Sequence, residues 1–450
     1  MTLLDKLDSS DPNKEELKFY LDHLVSGDAP EEEIVDALTI INKHGISYDL
    51  LSCLVSVLEK RVQPIDLNHT DFIVTCGTGC SGLNIFNCST LSAFVVCAAG
   101  GRVVKHGNKS VTSQSGSADF LERAGVNLTN STDSAENCLS QLGITFLFAP
   151  KYHQDLKNVA SARKKIGVRT IFNVVGPLAN PAKPDYQIIG TSNKDLNEAM
   201  IQVLQNKGLK QAMVVTSKDG IDELSITDVT HVHELRNNQI TTYDIDPREF
   251  GLSIYPLKDI QVNTSEEAYL YGVEVLNGKR GAGFDMVALN AGAALYTSNI
   301  TGTMAEGIEL AIKTIHSGKA LLLLNKFCQI HTAQLAMLDQ IIKTKRDRIN
   351  ILKEHYVIND RLDLKPTKFF QTLLESSNVY KIIGEIKKAS PSAGIIKDDF
   401  DLLSLANDYV SSGIRNLSVL TEEEEDYFLG QYQYIPQIKE SLDIKILQKD

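Results

Sequence analysis

The chain lacks the features that mark exported, membrane-spanning and nucleic-acid-binding proteins. Its first residues contain no apolar stretch of signal-peptide length, and its longest apolar run, residues 91–99, is about half as long as a membrane-spanning helix. An excess of positive charge is missing as well, because 57 acidic residues outnumber 45 basic ones, which gives a formal net charge of −12 and an isoelectric point of about 5.4. We therefore expect a cytoplasmic protein that binds neither membranes nor nucleic acids.

Paired cysteines are also missing. The seven cysteines are scattered and none occurs in C-x-x-C spacing, so we expect reduced thiols rather than disulfides. Cys76, Cys80 and Cys88 lie close together in the sequence, but no histidine or fourth cysteine completes a metal-binding set. We interpret these three residues as small buried side chains.

The length of 450 residues, of which 43% are hydrophobic, predicts two or three domains with packed cores. Residues 1–68 carry apolar side chains at helical spacing, which predicts a small helical domain. Residues 69–333 alternate short apolar runs with helical patterns, which predicts a larger α/β domain with a central sheet, and residues 334–450 form a third segment. The predicted strands of the middle domain include residues 144–148, 170–173, 187–190, 212–216 and 285–289.

A glycine-rich stretch in the middle domain gives the first indication of a ligand site. A predicted buried strand, residues 72–75, leads through a glycine loop to a predicted helix over residues 91–99. The loop and the helix start contain small and polar residues: Gly77, Gly79, Gly82, Asn87, Ser89 and Thr90. A glycine loop that feeds a helix N-terminus presents unpaired N–H groups and a partial positive charge, so it favours phosphate.

A second polar segment follows the same short helix. Lys105, His106, Asn108 and Lys109 lie there among hydroxyl, glycine and amide residues. Two segments that suit anions, one on either side of a helix, predict a ligand with two phosphate groups.

Two alternatives apply to the glycine stretch. The spacing of Gly77, Gly79 and Gly82 formally matches a dinucleotide-binding fingerprint, but that fingerprint needs an acidic residue about 20 residues further on. Residues 100–103 contain no carboxylate, so a nicotinamide or flavin site is disfavoured. A glycine turn with a capped helix and no ligand would leave the second lysine- and serine-containing segment unexplained.

Two further clusters carry chemistry. His153 and Arg163 are ten residues apart on one predicted helix, where the arginine suits either a two-pronged contact with a carboxylate or a surface ion pair. Asp222 and Glu223 are adjacent after a predicted strand and a glycine turn. Because adjacent carboxylates are costly to bury unpaired, we expect either a solvated loop or a Mg²⁺ site there.

Four motifs in order, GTG-x-x-G, FN-x-ST, KHGN-x-S and SGSAD, resemble those of the anthranilate phosphoribosyltransferases of tryptophan biosynthesis. The resemblance implies a helical N-terminal domain and an α/β domain of the nucleoside phosphorylase/phosphoribosyltransferase type, with dimerisation through the helical domain. It implies transfer of the phosphoribosyl group of 5-phosphoribosyl diphosphate to anthranilate, with Mg²⁺ as the cofactor.

The resemblance also implies roles for individual residues. Lys105 and Arg163 would be catalytic, with Arg163 binding the anthranilate carboxylate, and Ser89, Asp222 and Glu223 would hold Mg²⁺. The implied substrate-binding residues are Gly77, Thr78, Gly79, Cys80, Ser81, Ile85, Asn87, Ser89, Thr90, Lys105, His106, Gly107, Asn108, Lys109, Ser113, Ser117 and Arg163.

The chain departs from the family pattern at several of these positions. Cys80 and Ser81 stand where the family has Gly-Asp, Ile85 where it has threonine, and Lys109 where it has arginine. Residues 153–157 read H-Q-D-L-K where the family has H-P-A-M-K. We therefore predict weaker donor binding, since a glycine and a candidate outer partner of the metal are lost.

Two alternative functions remain. One is a catalytically weakened or inactive homologue that is kept for binding or assembly. The other is a pyrimidine-nucleoside phosphorylase, which shares the fold and a lysine-rich phosphate loop. The segment from His153 to Arg163 and the motif R-T-x-F-N-x-x-G-P-L favour anthranilate as the substrate.

The last 85 residues resemble indole-3-glycerol phosphate synthase, an eight-stranded (β/α) barrel, through K-I-I-G-E-I-K-K-A-S-P-S-A-G, L-S-V-L-T-E and I-L-Q-K-D. By this resemblance Glu385, Lys387 and Lys449 occupy catalytic positions. The predicted strands, residues 382–387, 417–420 and 445–447, are too few for a barrel, which needs about 250 residues. We expect an incomplete (β/α) barrel, as in a truncated or split bifunctional protein, that is inactive alone.

Overall fold

The computed structural model describes residues 13–65, 67–79, 81–110, 115–128, 132–331, 384–390, 394–395, 400–412, 414, 416–421, 431, 433–442 and 444–449. The chain divides into two compact units, Met1–Leu335 and Ala336–Asp450. Within the described ranges, no helix combines the length and the apolar character needed to cross a bilayer.

Three amphipathic helices open the first unit: α1 (Lys14–Ser26), α2 (Glu31–His44) and α3 (Tyr48–Arg61). Their apolar stripes are buried, as the helical spacing predicts. These side chains belong to one apolar cluster that also contains Phe172 and Met200, so the helices pack on the middle of the chain. The predicted domain boundary at residue 68 stays a prediction.

A seven-stranded mixed sheet forms the centre of the first unit. Its strands are β1 (Phe72–Gly77), β2 (Arg102–Gly107), β3 (Ile144–Phe148), β4 (Tyr186–Gly190), β5 (Gln211–Ser217), β6 (Thr230–Arg236) and β7 (Gln239–Ile245). Their order is β3-β2-β1-β4-β5-β6-β7. The first five strands in this order are parallel, and β6 and β7 form an antiparallel hairpin at the edge. An N-terminal helical region followed by an α/β domain is therefore the fold of this unit.

Helices cover the sheet on both sides. They are α4 (Cys88–Ala98), α5 (Ser117–Arg123), α6 (Thr132–Leu142), α7 (Ala149–Tyr152), α8 (Ala160–Ile166), α9 (Ile171–Leu178), α10 (Asn197–Asn206), α11 (Ser265–Leu276), α12 (Ala282–Thr297) and α13 (Met304–His316). Short 3₁₀ turns at Gln154–Val159, Lys194–Leu196, Pro247–Phe250 and Leu257–Asp259 connect them, and a helix also spans residues 319–331.

Two predicted strands are wrong. Residues 170–173 begin the helix α9, where the Thr170 N–H donates to Asn173 Oδ1 at 3.0 Å. Residues 285–289 lie inside α12, whose side chains are buried on nearly every face. A helix that is buried all round shows no amphipathic period, so a short apolar window within it cannot be distinguished from a buried strand.

The sheet topology identifies where a ligand can bind. The strand order reverses between β1 and β4, so the connections from these two neighbours lead away in opposite directions. In an open α/β sheet, the crevice beyond the carboxyl ends of such strands is the usual ligand site. Here β1 ends at Gly77, β2 at Gly107 and β4 at Gly190, all at the same edge.

The second unit contains a parallel sheet of three strands, β8 (Gly384–Ile386), β11 (Asn416–Leu420) and β12 (Lys445–Lys449), in the order β12-β11-β8. The helices α14 (Leu402–Ser411) and α15 (Tyr434–Ser441) connect them, and Ala389–Ser390 (β9) pairs with Gly394–Ile395 (β10). Neighbouring parallel strands joined in chain order by helices form part of a (β/α) barrel. The predicted strands at residues 417–420 and 445–447 are confirmed, whereas residues 382 and 383 lie outside the described ranges.

Candidate active site

A cavity of about 330 Å³ opens at the carboxyl edge of the sheet. Every site residue predicted from the sequence for the first unit lines it, apart from two positions. Those lining residues are Gly77, Thr78, Gly79, Ser81, Ile85, Asn87, Ser89, Thr90, Lys105, His106, Gly107, Asn108, Lys109, Ser117, Arg163, Asp222 and Glu223. Cys80 and Ser113 lie outside the described residues. The structure thus brings together segments that are up to about 150 residues apart, while the individual roles stay predictions.

The glycine loop after β1 contacts Asp222 of the acidic pair. Gly79 has a φ of 68°, in the left-handed region, and its N–H donates to Asp222 Oδ2 at 2.7 Å. A Cβ on Gly77 would lie 2.7 Å from the same carboxylate oxygen. The loop therefore needs glycine at position 77 because the carboxylate of Asp222 lies directly against the backbone.

Gly190 is a site residue that the sequence analysis missed. It ends β4 and is the register partner of Gly77 on β1, and its carbonyl oxygen accepts the Thr78 N–H at 2.8 Å. A Cβ on Gly190 would overlap the carbonyl oxygen of Asp222. Its signal in the sequence is a glycine at the end of a predicted buried strand, which indicates a close approach of another backbone.

The acidic pair lies in a crowded, poorly solvated place. Asp222 is only 5% exposed, and the Ser89 N–H donates to Glu223 Oε1 at 3.2 Å. Burial, together with the charge of Asp222, raises the pKa of Glu223 to about 7. Two carboxylates held this close repel each other, and a bound cation would relieve that repulsion.

The loop that carries the acidic pair is fixed at both ends. Asp219 accepts the Ser225 hydroxyl at 2.8 Å and the Ile221 N–H at 3.1 Å. Asn290, on α12, accepts the Leu224 N–H at 3.0 Å and donates to the Leu224 carbonyl at 2.7 Å. Asn290 thereby fixes the backbone of the residue directly after Glu223.

Lys105 is buried, with 4% of its surface exposed, and it lines the cavity. Its ammonium group donates to the Thr75 carbonyl at 2.7 Å and to Ser89 Oγ at 3.1 Å. Burial lowers its pKa. These contacts tie β2 to β1 and to the start of α4, so Lys105 orients the hydroxyl of Ser89.

The second polar segment is held by its own side chains. Asn87 and Ser115 exchange two hydrogen bonds of 3.0 Å, which join the start of α4 to this segment. Asp119 Oδ2 accepts the N–H groups of Ser110 and Gly116, each at 2.8 Å. Lys109, in place of the family's arginine, forms an exposed ion pair with Glu122 at 2.8 Å.

A further wall of the cavity carries His153 and Arg163. The prediction that both lie on one helix is wrong, because His153 joins α7 to a 3₁₀ turn and Arg163 belongs to α8. The Arg163 guanidinium lies 5.9 Å from the centre of the Phe172 ring. Both residues nevertheless line the cavity.

The ring of His153 on this wall lies beside the ring of His106. The rings of His106 and His153 are 5.3 Å apart, and the Nε2 atom of each is buried with no hydrogen-bond partner among the described residues. Burial, with the neighbouring His153 and Lys105, lowers the pKa of His106 to about 3, and burial also lowers the pKa of His153. Both rings are therefore neutral near pH 7.

The predicted metal-binding residues suit a Mg²⁺ ion whose coordination shell is completed by oxygens of the substrate. Among the described residues, no group of three or more His, Cys, Asp or Glu side chains is arranged to hold a metal ion. Asp222 and Glu223 supply carboxylates at the cavity edge, and the Ser89 hydroxyl lies on the same side. Mg²⁺ in phosphate sites is commonly held by one or two carboxylates plus substrate phosphates, so this donor set fits the ion.

In the second unit, Lys387 and Glu385 form an ion pair of 2.8 Å at the end of β8. The side chain of Lys449 lies outside the described residues. The predicted roles of these three residues stay predictions.

Comparisons with known proteins agree with this architecture. Residues 69–321 match the model of the glycosyl transferase family, a/b domain, and residues 338–450 match that of indole-3-glycerol phosphate synthase. An anthranilate phosphoribosyltransferase of Vesicomyosocius okutanii is 41% identical over 311 residues, which are 69% of this chain and 92% of that protein.

Solved structures give the same family. The anthranilate phosphoribosyltransferase of Thermus thermophilus superposes with a TM-score of 0.69 at 30% identity, covering 74% of this chain and 100% of that one. The Saccharomyces cerevisiae enzyme in complex with PRPP and Mg superposes with a TM-score of 0.67 at 26% identity, covering 74% and 97%. The chain therefore belongs to the anthranilate phosphoribosyltransferase family.

Proposed function

We propose that the first unit transfers the phosphoribosyl group of 5-phosphoribosyl diphosphate to anthranilate, a step of tryptophan biosynthesis. The bond from the sugar C1 to the diphosphate oxygen breaks, and a bond from C1 to the anthranilate nitrogen forms. The proton that this nitrogen loses passes to the departing diphosphate or to water. The observation that carries this proposal is a single cavity that joins two anion-binding segments, an acidic pair and a wall bearing an arginine.

The donor side of the cavity suits a diphosphate. Gly77, Thr78 and Gly79 line the cavity together with the start of α4, and the N–H groups of a helix N-terminus favour phosphate. The Gly79 N–H currently donates to Asp222, and a diphosphate oxygen is an acceptor of the same kind. An exchange of partners would free the carboxylate of Asp222 for a cation.

Ser89, Asp222 and Glu223 are the residues that would hold Mg²⁺. When bound, the ion would neutralise charge on the diphosphate and so make it a better leaving group. Lys105 contributes by keeping the hydroxyl of Ser89 in place. The structure of the Saccharomyces cerevisiae relative is a complex with PRPP and Mg, which supports Mg²⁺ as the cofactor.

The acceptor side suits a small aromatic acid. Arg163 offers a two-pronged donor for a carboxylate, and it lies beside the ring of Phe172. The neutral rings of His106 and His153 add no charge of their own. Catalysis then consists of aligning the amine with the sugar carbon and of stabilising departing diphosphate, so no nucleophile from the protein is required.

The proposal includes a cytoplasmic homodimer that is formed through the helical region. Among the described residues, the free thiols include Cys53, Cys76, Cys88, Cys97 and Cys138, which agrees with a reducing compartment. The predictions that donor binding is weakened and that the second unit is inactive alone remain predictions.

The assay that tests the proposed function follows the decay of anthranilate fluorescence with 5-phosphoribosyl diphosphate and Mg²⁺. We expect decay that depends on both additions and no phosphorolysis when thymidine and phosphate replace them. Cleavage of thymidine would instead support a nucleoside phosphorylase, and no turnover of either substrate pair would support a binding or assembly protein.

A further inference from the structure

The wall that carries His153 and Arg163 is hydrogen-bonded to the helical region. The Gln63 N–H, just after α3, donates to the Tyr152 carbonyl at 2.9 Å. The side-chain amide of Asn158 donates to the carbonyl of Val25, on α1, also at 2.9 Å. The segment between these two points is therefore joined to α1 and to the end of α3, whereas Thr78 of the glycine loop is hydrogen-bonded to Gly190 at the end of β4.

A three-residue ion network lies between these two attachments. Arg61, the last residue of α3, donates two hydrogen bonds of 2.6 and 2.9 Å to the carboxylate of Asp22 on α1. Its remaining terminal nitrogen donates to Asp155 Oδ2 at 2.9 Å. These hydrogen bonds raise the pKa of Arg61 and lower that of Asp22, so both stay charged. An arginine fork with three charged contacts fixes direction as well as distance.

Asp155 is the member of this network that reaches the cavity wall. It stands where the family motif has alanine, and it lies between His153 and Leu156, which both line the cavity. The backbone that carries these two lining residues is therefore linked to Arg61 through the Asp155 carboxylate. Asp155 thus adds a charged contact to the hydrogen bonds at Tyr152 and Asn158 and to the packing of Leu156 on the helical region.

We propose that Arg61, held by Asp22, positions the acceptor wall through Asp155 and thereby sets the affinity for the aromatic acid. This inference rests on the proposed function. Arg61 and Asp155 act as positioning residues, because neither lines the cavity. The donor side is anchored separately through Asp222 and Ser89, so donor affinity does not depend on the network.

The test compares Asp155→Ala and Asp155→Asn with the full-length wild type. We expect the KM for anthranilate to rise about fivefold in Asp155→Ala, and the KM for 5-phosphoribosyl diphosphate to stay within about twofold. Asp155→Asn keeps one acceptor oxygen, so its KM for anthranilate is expected to lie between those of the wild type and Asp155→Ala. In the pair Arg61→Ala and Asp155→Ala, the effects on the anthranilate KM should not add, because both changes break the same contact.

Glu59→Gln is the matched control. Glu59 also lies on α3 and forms an ion pair of 2.7 Å with Lys207, which is not part of the wall. We expect it to leave both KM values unchanged. Thermal unfolding of every variant separates positioning from stability, since a purely structural role would lower the melting temperature without splitting the two KM values.

The outcomes distinguish the two proposals. If the wild type consumes anthranilate and Asp155→Ala keeps its KM for anthranilate, the positioning role is wrong and the proposed function stands. If the wild type consumes no anthranilate, the proposed function fails, and calorimetric titration of anthranilate into the same variants then decides the inference. Equal binding by wild type and variant, or no binding by either, would overturn it.

Discussion

Gly190 decides whether the acidic pair can lie above the end of the sheet. The backbone of Asp222 occupies the space that a side chain at residue 190 would need. Because the obstacle is backbone rather than the end of a flexible side chain, neither partner can move without shifting the loop. At this scale the sequence shows the residue types at the site but not the contact that makes one of them essential.

We predict that Gly190→Ala displaces the carboxylates and lowers kcat/KM about 100-fold, the effect expected of a displacement near 1 Å. Steady-state kinetics and circular dichroism check this. Gly302→Ala is the control, since a Cβ there meets only the flexible side chain of Glu306 at 3.3 Å. Full activity of Gly190→Ala would show that the loop relaxes freely.

The raised pKa of Glu223 predicts a pH dependence of stability. Folding raises this pKa from 4.5 to about 7, so between these values the folded chain binds more protons than the unfolded chain. The free energy of unfolding contributed by Glu223 therefore falls as the pH rises from 4.5 to about 7, and it levels off above that. A glutamine at this position does not titrate, so Glu223→Gln should lack this decrease in the free energy of unfolding.

Urea unfolding of both proteins from pH 4.5 to pH 8, with a chelator present, measures the difference. The stability of the wild type relative to Glu223→Gln is expected to decrease across the window. A difference that is flat or rises with pH would contradict the assignment of a buried, crowded carboxyl.

The helix α12 acts on the site through Asn290. The Asn290 side chain is hydrogen-bonded to the N–H and to the carbonyl of Leu224, which is fully buried. Loss of both contacts leaves two backbone groups unsatisfied in the interior, at a cost of about 3 kcal/mol. An element on one side of the sheet thereby fixes the loop beside Glu223.

Asn290→Leu should therefore raise the Mg²⁺ concentration needed for half-maximal activity about tenfold, as loss of support for metal ligands commonly does. Asn197→Leu is the control, because Asn197 is equally buried but accepts the hydroxyl of Thr216 instead. It should lower stability and leave the Mg²⁺ dependence unchanged. The same shift in both variants would mean that the effect is general loosening.

At the scale of elements, the sequence predicts best where an apolar run is short and well bounded. Residues 144–148, 187–190 and 212–216 were such runs, and all three are strands. Residues 285–289 were apolar too, but they belong to a helix buried on nearly every face. The sequence carried no amphipathic period there, because tertiary burial on all sides removes it.

At the scale of the whole molecule, the chain joins a phosphoribosyltransferase unit to part of a barrel. All residues that line the cavity lie between Val74 and Glu223, within the first unit. The motifs contain most of these residues because binding loops are local in sequence. Gly190, Asn290 and the Arg61–Asp155 pair escaped because each depends on a contact between distant segments, such as the 94 residues that separate Arg61 from Asp155.

The most direct test of the central claim is the steady-state kinetics of Arg163→Gln beside the wild type, with each substrate varied in turn. The account places Arg163 on the acceptor side and the glycine loop on the donor side of one cavity. It predicts that the KM for anthranilate rises at least about tenfold, from loss of a charged two-pronged contact, while the KM for 5-phosphoribosyl diphosphate hardly changes. A variant that binds anthranilate as well as the wild type, or that loses only donor affinity, would contradict it.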